Sequence, residues 1–193
     1  MRSIAIVLGA GLMLAACGGA SAPAWPAATT AAPTVAATTA APTAAPTAPT
    51  SLKFTADLKT ENEVPPIAND EKGASGKATV TFDLTRDTAG KITAAKASID
   101  ASFSGFPATA LITLGHIHGP AAAGTNAGVK VGFKTDADNP LTLTGGATTF
   151  KKADVTVDPD LAQQIIDKPA DFYVNFHSKL NAGGVVRGQL VKG

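Results

Sequence analysis

From residue 51 onward the sequence predicts an all-β domain. The expected form is an antiparallel β-sandwich of about eight short strands with one short helix, carried on a disordered stalk. Three observations predict it. Apolar and polar residues alternate with period two in several separate runs, and turn-forming residues recur between those runs. The third is an abrupt change of composition at residue 50. Of the 16 basic residues only Arg2 precedes residue 51, and none of the 15 acidic residues or the 8 Phe does. Residues 51–193 carry 15 basic and 15 acidic residues, a balance that gives no electrostatic drive towards nucleic acid or an anionic membrane surface.

The chain opens with a predicted export signal over residues 1–16. Met1-Arg2-Ser3 supplies a positive start, and Ile4 to Leu14 is an apolar run too short to span a bilayer. It ends in Leu14-Ala15-Ala16-Cys17, which resembles the bacterial lipobox. The resemblance implies cleavage before Cys17 and diacylglycerol on its sulfur. Acyl chains hold a protein at a membrane by about 0.8 kcal/mol per buried CH₂. Cys17 is the only cysteine, so an intramolecular disulfide and a Cys-rich metal site are excluded. The expected location is extracytoplasmic, lipid-anchored to the cell or outer membrane of a bacterium, with that membrane as partner.

Residues 17–50 are expected to form the lipidated tether. Between 18 and 50 there are 14 Ala, 8 Thr and 6 Pro and no charge, with Ala-Pro-Thr recurring four times. Proline removes N–H donors and extends its predecessor, and little apolar bulk is present to collapse around. A polyproline-like spacer of this length reaches roughly 100 Å at most.

Residues 51–193 form the predicted domain. Leu52, Phe54, Ala56 and Leu58 alternate with Lys53, Thr55, Asp57 and Lys59. Ala78, Val80, Phe82 and Leu84 repeat the pattern, as do Ala97, Ile99, Ala101 and Phe103. One apolar face per strand means half-buried antiparallel strands. Further strands are expected at Leu111–His118, Val129–Lys134, Thr148–Val157, Phe172–His177 and Val185–Val191. Turn signals separate them, among them Pro65-Pro66, Gly119-Pro120, Asn139-Pro140 and Asn181–Gly184. One helix is expected after Asp158, which caps it, with Pro159 at its first position. Leu161, Ile165 and Ile166 are expected to face inward before Lys168-Pro169 ends it, the helix covering one sheet edge.

The three histidines carry the most chemical information. His116 and His118 flank Ile117 near a strand end, and His177 ends another strand. Residues two apart on a strand share a face, so His116 and His118 project together. Tyr173, Asn175 and His177 share a face of their strand by the same rule. If the two strands are neighbours, the three imidazoles converge on a copper or zinc site. A polar network holding loops and another ligand role stay open beside that reading. No Gly-x-Ser-x-Gly motif or phosphate loop is present, and the single Trp, Trp25, lies in the tether.

Three separated motifs, in order, then bring a family into view. They are Glu63-Val64-Pro65-Pro66-Ile67, His116-Ile117-His118-Gly119-Pro120-Ala121, and Tyr173-Val174-Asn175-Phe176-His177 with Gly183-Gly184-Val185-Val186-Arg187-Gly188-Gln189-Leu190 after it. Together they resemble the chordin-type (CHRD) domain along nearly all of residues 52–191. The family usually has Gly-Glu before the Arg-Gly, where this chain has Gly183-Gly184-Val185. The resemblance implies an extracellular, immunoglobulin-like β-sandwich, and it draws attention to Glu63, Asn175 and Arg187 as structural or ligand-binding residues. A looser resemblance is to the Greek-key sandwich of copper/zinc superoxide dismutase, which also carries a His-x-His pair. Here no fourth His completes a copper shell and no Asp-and-His cluster marks a zinc loop. Arg187 is expected to pair with Glu63 across the sandwich.

Two functional classes fit these residues. One is an anchored extracytoplasmic binding or adhesion module without catalysis, its partner a protein or small ligand. The other is an envelope metal-binding protein, of copper or zinc, with a redox-active form included. No cofactor is required by the first, and catalysis is the less expected outcome.

Overall fold

The computed structural model describes residues 48, 50–134 and 140–193. The expected signal peptide, Cys17 and almost all of the tether lie outside the described residues, as does Asn139 of one expected turn. Among the described residues ten antiparallel strands form a continuous ladder: β1 (Ser51–Lys59), β2 (Ser75–Arg86), β3 (Ile92–Ser104), β4 (Leu111–His118), β5 (Val129–Lys134), β6 (Leu141–Thr142), β7 (Thr148–Val157), β8 (Tyr173–Ser178), β9 (Val186–Gln189) and β10 (Val191–Lys192). Their order is β5-β4-β8-β9-β1-β2-β3-β7, with β6 added to β4 and β10 to β1. The fold is therefore mostly antiparallel β with one short helix.

Two four-stranded layers can be distinguished, β5-β4-β8-β9 and β1-β2-β3-β7. They are joined through a single residue pair, Lys59 opposite Arg187, and the terminal strands β5 and β7 approach each other. The sheet is thus nearly closed, which leaves little open edge for another chain to pair with.

The alternating runs form β1, β2 and β3 as expected. Their alternating apolar residues, among them Phe54, Val80, Phe82, Ile99 and Phe103, are buried, and their Lys, Thr and Asp residues largely face solvent. Phe103 of β3 meets Phe176 of β8 edge-on at 4.7 Å between ring centres, and Phe150 of β7 meets the same ring at 5.6 Å. These contacts cross the core and bind the two layers together. They require Gly115 on β4, because a Cβ there would stand 2.5 Å from the Phe176 ring.

The helix α1 (Pro159–Asp167) starts as expected, with both Asp160 N–H and Leu161 N–H donating to Asp158 Oδ1 at 3.0 Å. Its buried residues are Ala162 and Ile165, while Leu161 and Ile166 are only partly covered. It packs on β3 and not over an edge strand. Among the described residues no helix is long and apolar enough to cross a membrane.

The strand β8 departs from the expected half-buried pattern, since all six of its residues are buried. Val174 and Phe176 enter the apolar core. Tyr173, Asn175 and His177, on the opposite face, are covered as well, and the side chains and carbonyls that meet them come from the segments 60–72, 119–128 and 179–185. That second, polar interior is where the chemistry-bearing residues collect.

Candidate functional site

The register of the β5-β4-β8-β9 layer builds the site. A bulge between Ile112 and Leu114 resets the phase of β4 against β8. Beyond it Ile117 points into the core and His116 and His118 point out. His116 lies opposite Asn175, and Asn175 lies opposite Arg187 on β9. One row across three strands thus carries His116, Asn175 and Arg187. The next row carries His118, Tyr173 and Gln189.

The three imidazoles meet. Ring centres of His116 and His118 are 5.4 Å apart, and those of His116 and His177 are 4.8 Å apart. One ring nitrogen from each can be chosen so that all three lie within 4.8 Å of one another. β4 and β8 are neighbours, the condition on which convergence depended, and His177 stands beside the His116-x-His118 pair.

Backbone carbonyls fix the tautomers. His118 Nδ1 donates to the Ala127 carbonyl at 2.9 Å, and His177 Nδ1 donates to the Ala182 carbonyl at 2.8 Å. A carbonyl only accepts, so each of these rings in its neutral form has its lone pair on Nε2. His116 Nδ1 then donates to His177 Nε2 at 2.9 Å. Moving that proton to His116 Nε2 leaves both facing nitrogens free to ligate.

Burial keeps the rings neutral. Desolvation is the largest cause of a pKa pushed down to about 4 at His116, with the neighbouring His177 and His118 adding to it. Desolvation also lowers His118 and His177, although their carbonyl partners act the other way. Neutral imidazoles with Nδ1 held by a carbonyl are the form in which histidine binds zinc and copper.

The surroundings are firmly held. The His118 ring stacks on Tyr173 at 4.9 Å with the planes 2° apart, and the Arg187 guanidinium carbon lies 3.4 Å from the centre of the same ring. Arg187 is 1% exposed and donates to Asn126 Oδ1 at 3.1 Å and to the Thr125 carbonyl at 2.6 Å. The expected pairing of Arg187 with Glu63 is therefore corrected. The guanidinium is taken by the loop after β4, which carries acceptors at the right height over β9, and it reaches Glu63 only through its field. Glu63 is buried, and desolvation raises its pKa to about 7 against the opposing pull of Arg187 and Asn175.

A second buried acid stands beyond what the sequence marks. Glu71, 2% exposed, accepts from Ser178 Oγ and from Asn181 Nδ2 at 2.5 Å each. Asn181 is held in turn by Asn69 Nδ2 at 2.8 Å. This network fastens the loop after His177, whose Ala182 carbonyl orients that ring. No pattern in the sequence distinguishes Glu71 from the exposed acids around it, because its partners lie about a hundred residues away. Tyr173, which the strand period marks only as a neighbour of His177, proves to be the platform for both His118 and Arg187.

The model of the CHRD domain family matches residues 54–190. No curated protein and no solved structure matches the chain.

Proposed function

The chain belongs to the CHRD domain family, and from that premise we propose that it is an exported binding module whose ligand is a transition-metal ion, copper or zinc, held by His116, His118 and His177. One observation carries this reading. Three neutral imidazoles, two of them with Nδ1 committed to a backbone carbonyl, present nitrogens within 4.8 Å of one another. A metal at about 2.0–2.1 Å from each needs nitrogens about 3.4 Å apart, so the rings would draw together on binding. Histidine donors suit zinc and copper and disfavour magnesium or calcium, which take oxygen.

We place the module outside the cytoplasm, anchored through Cys17, on the strength of the apolar run and Leu14-Ala15-Ala16-Cys17. The Ala/Pro/Thr-rich tether would hold the domain away from the membrane. Binding and display, and not catalysis, is the function proposed.

Titration of the metal-free full chain with Cu²⁺ and Zn²⁺ tests the reading. Binding tighter than about 10 μM, equivalent to about 7 kcal/mol, is expected. It should vanish when all three histidines are replaced by alanine. Weaker binding, or binding untouched by that change, returns the protein to the class of modules with a protein or small organic ligand.

A further inference from the structure

Three buried side-chain atoms among the described residues have no hydrogen-bond partner: Glu63 Oε1, His118 Nε2 and Asn175 Oδ1. All three belong to one cluster. Asn175 stands directly across from His116, and its amide touches both the His118 ring and the Glu63 carboxyl. The three residues are each more than nine-tenths buried. An acceptor buried without a donor costs about 1–3 kcal/mol, so the two acceptors that meet on the imidazole side, His118 Nε2 and Asn175 Oδ1, call for an occupant.

The chemistry of the three atoms says what the occupant is. His118 Nε2 carries a lone pair, because Nδ1 spends the ring proton on the Ala127 carbonyl. Asn175 Oδ1 is a carbonyl oxygen and only accepts. These two lone pairs beside each other repel, and neither can supply the missing proton. A cation relieves both. The amide nitrogen of Asn175 lies on the Glu63 side, where a Cβ on Gly184 would come within 2.5 Å of Nδ2 and 2.7 Å of Glu63 Oε1. With its nitrogen drawn to the carboxyl, the amide directs its oxygen to the imidazoles.

We propose that Asn175 Oδ1 is the fourth ligand of the metal held by His116, His118 and His177, and that Glu63 positions it. This inference rests on the reading of the three histidines as a metal site. The donor set becomes three nitrogens and one oxygen, which favours Zn²⁺ or Cu²⁺ over the softer Cu⁺. For tetrahedral Zn²⁺ four protein ligands close the site, and closed zinc sites hold the metal without an open position for a substrate. Glu63 is a positioning residue: Glu63→Gln retains an oxygen that can accept from Asn175, whereas Glu63→Leu does not.

The crystal structure of the full chain loaded with Zn²⁺ provides the direct test. Asn175 Oδ1 is expected at about 2.0–2.2 Å from the metal, alongside one nitrogen each of His116, His118 and His177. A water in the fourth position, with Asn175 Oδ1 out of bonding distance, would overturn the proposal without needing any variant to fold. In Zn²⁺ titrations Asn175→Val and Asn175→Ala, which both remove the oxygen, should each weaken binding about tenfold. Glu63→Leu should shift the Cu²⁺ visible absorption band, and Glu63→Gln should restore the wild-type band. Histidine-dependent binding with unchanged affinities in both Asn175 variants would remove this inference and leave the three-histidine reading standing. Absence of histidine-dependent binding in the wild type would remove both.

Discussion

Nδ1 of His116 stands 2.9 Å from Nε2 of His177, so one proton serves both rings. Burial of the pair is the largest cause of the His116 pKa of about 4, and the neighbouring His177, its ring centre 4.8 Å away, and His118 lower it further. The pair marks the point where two strands, distant in the chain, turn a pair of side chains into a site.

The first prediction concerns acid. Each of the three histidines has a folded pKa below its unfolded value of 6.5. Between about pH 6.5 and pH 4 the unfolded chain takes up protons that the folded chain refuses, so stability falls as pH falls. His116→Gln, which cannot titrate, should lose less stability than wild type between pH 6.5 and pH 5 in urea unfolding. Metal affinity should stay level from pH 8 to about 6.5 and decline only below. Equal losses in the two proteins, or a decline that begins above pH 7, would contradict this.

Glu63 acts with the opposite sign. Its folded pKa of about 7 lies above the ordinary carboxyl value of 4.5. Its contribution is fully present below about pH 4.5 and is lost as pH rises through about 7. Glu63→Gln removes that loss. Relative to wild type, the variant should gain about 1–3 kcal/mol between pH 5 and pH 8. A constant difference across that range would show that Glu63 is not held as a neutral acid.

Arg187 should be among the costliest side chains to remove. Arg187→Met gives up the stack on Tyr173 and two hydrogen bonds to the 125–126 loop, for an expected loss of about 3 kcal/mol. Arg187→Lys should lose much of the same, because an ammonium has no plane to stack and no fork to bridge two acceptors. Denaturant midpoints measure both. A lysine variant as stable as wild type would show that charge alone matters here.

Gly184 and Gly183 should behave differently although they are adjacent. Gly184 has φ of +137°, and a Cβ there would press on Asn175 and Glu63. Gly184→Ala should cost about 1–3 kcal/mol and disturb metal binding with it. Gly183→Ala meets nothing within 4 Å and should be close to neutral. Thermal melts of the two variants check the contrast.

The anchor and tether can be tested together. Mass spectrometry of mature protein should find Cys17 as a lipidated N-terminus, and Cys17→Ala should release the chain from membranes or block its maturation. Limited proteolysis should trim the chain to about residue 51, where the first strand begins. An unmodified N-terminus elsewhere, or a protected tether, would reverse these expectations.

Much of this protein was decided by the sequence itself, because the deciding interactions are local. Period-two alternation set β1, β2 and β3. Asp158 and Pro159 set the helix start through hydrogen bonds two and three residues away. The pairing of His116 with His118 on one face needs only the pleat of a strand. The two-residue strands β6 and β10 carry no such signal, because partners in distant strands define them. The same holds for the site. Whether His177 joins the other two depended on β4 lying against β8, and Arg187 turned to Thr125 and Asn126 because that loop lies over β9. The outer face of β8 is polar in sequence, and a polar strand face ordinarily meets water. Here loops from three parts of the chain cover it, and only that tertiary burial strips the histidines of solvent, raises Glu63 and leaves buried acceptors without a hydrogen-bond partner.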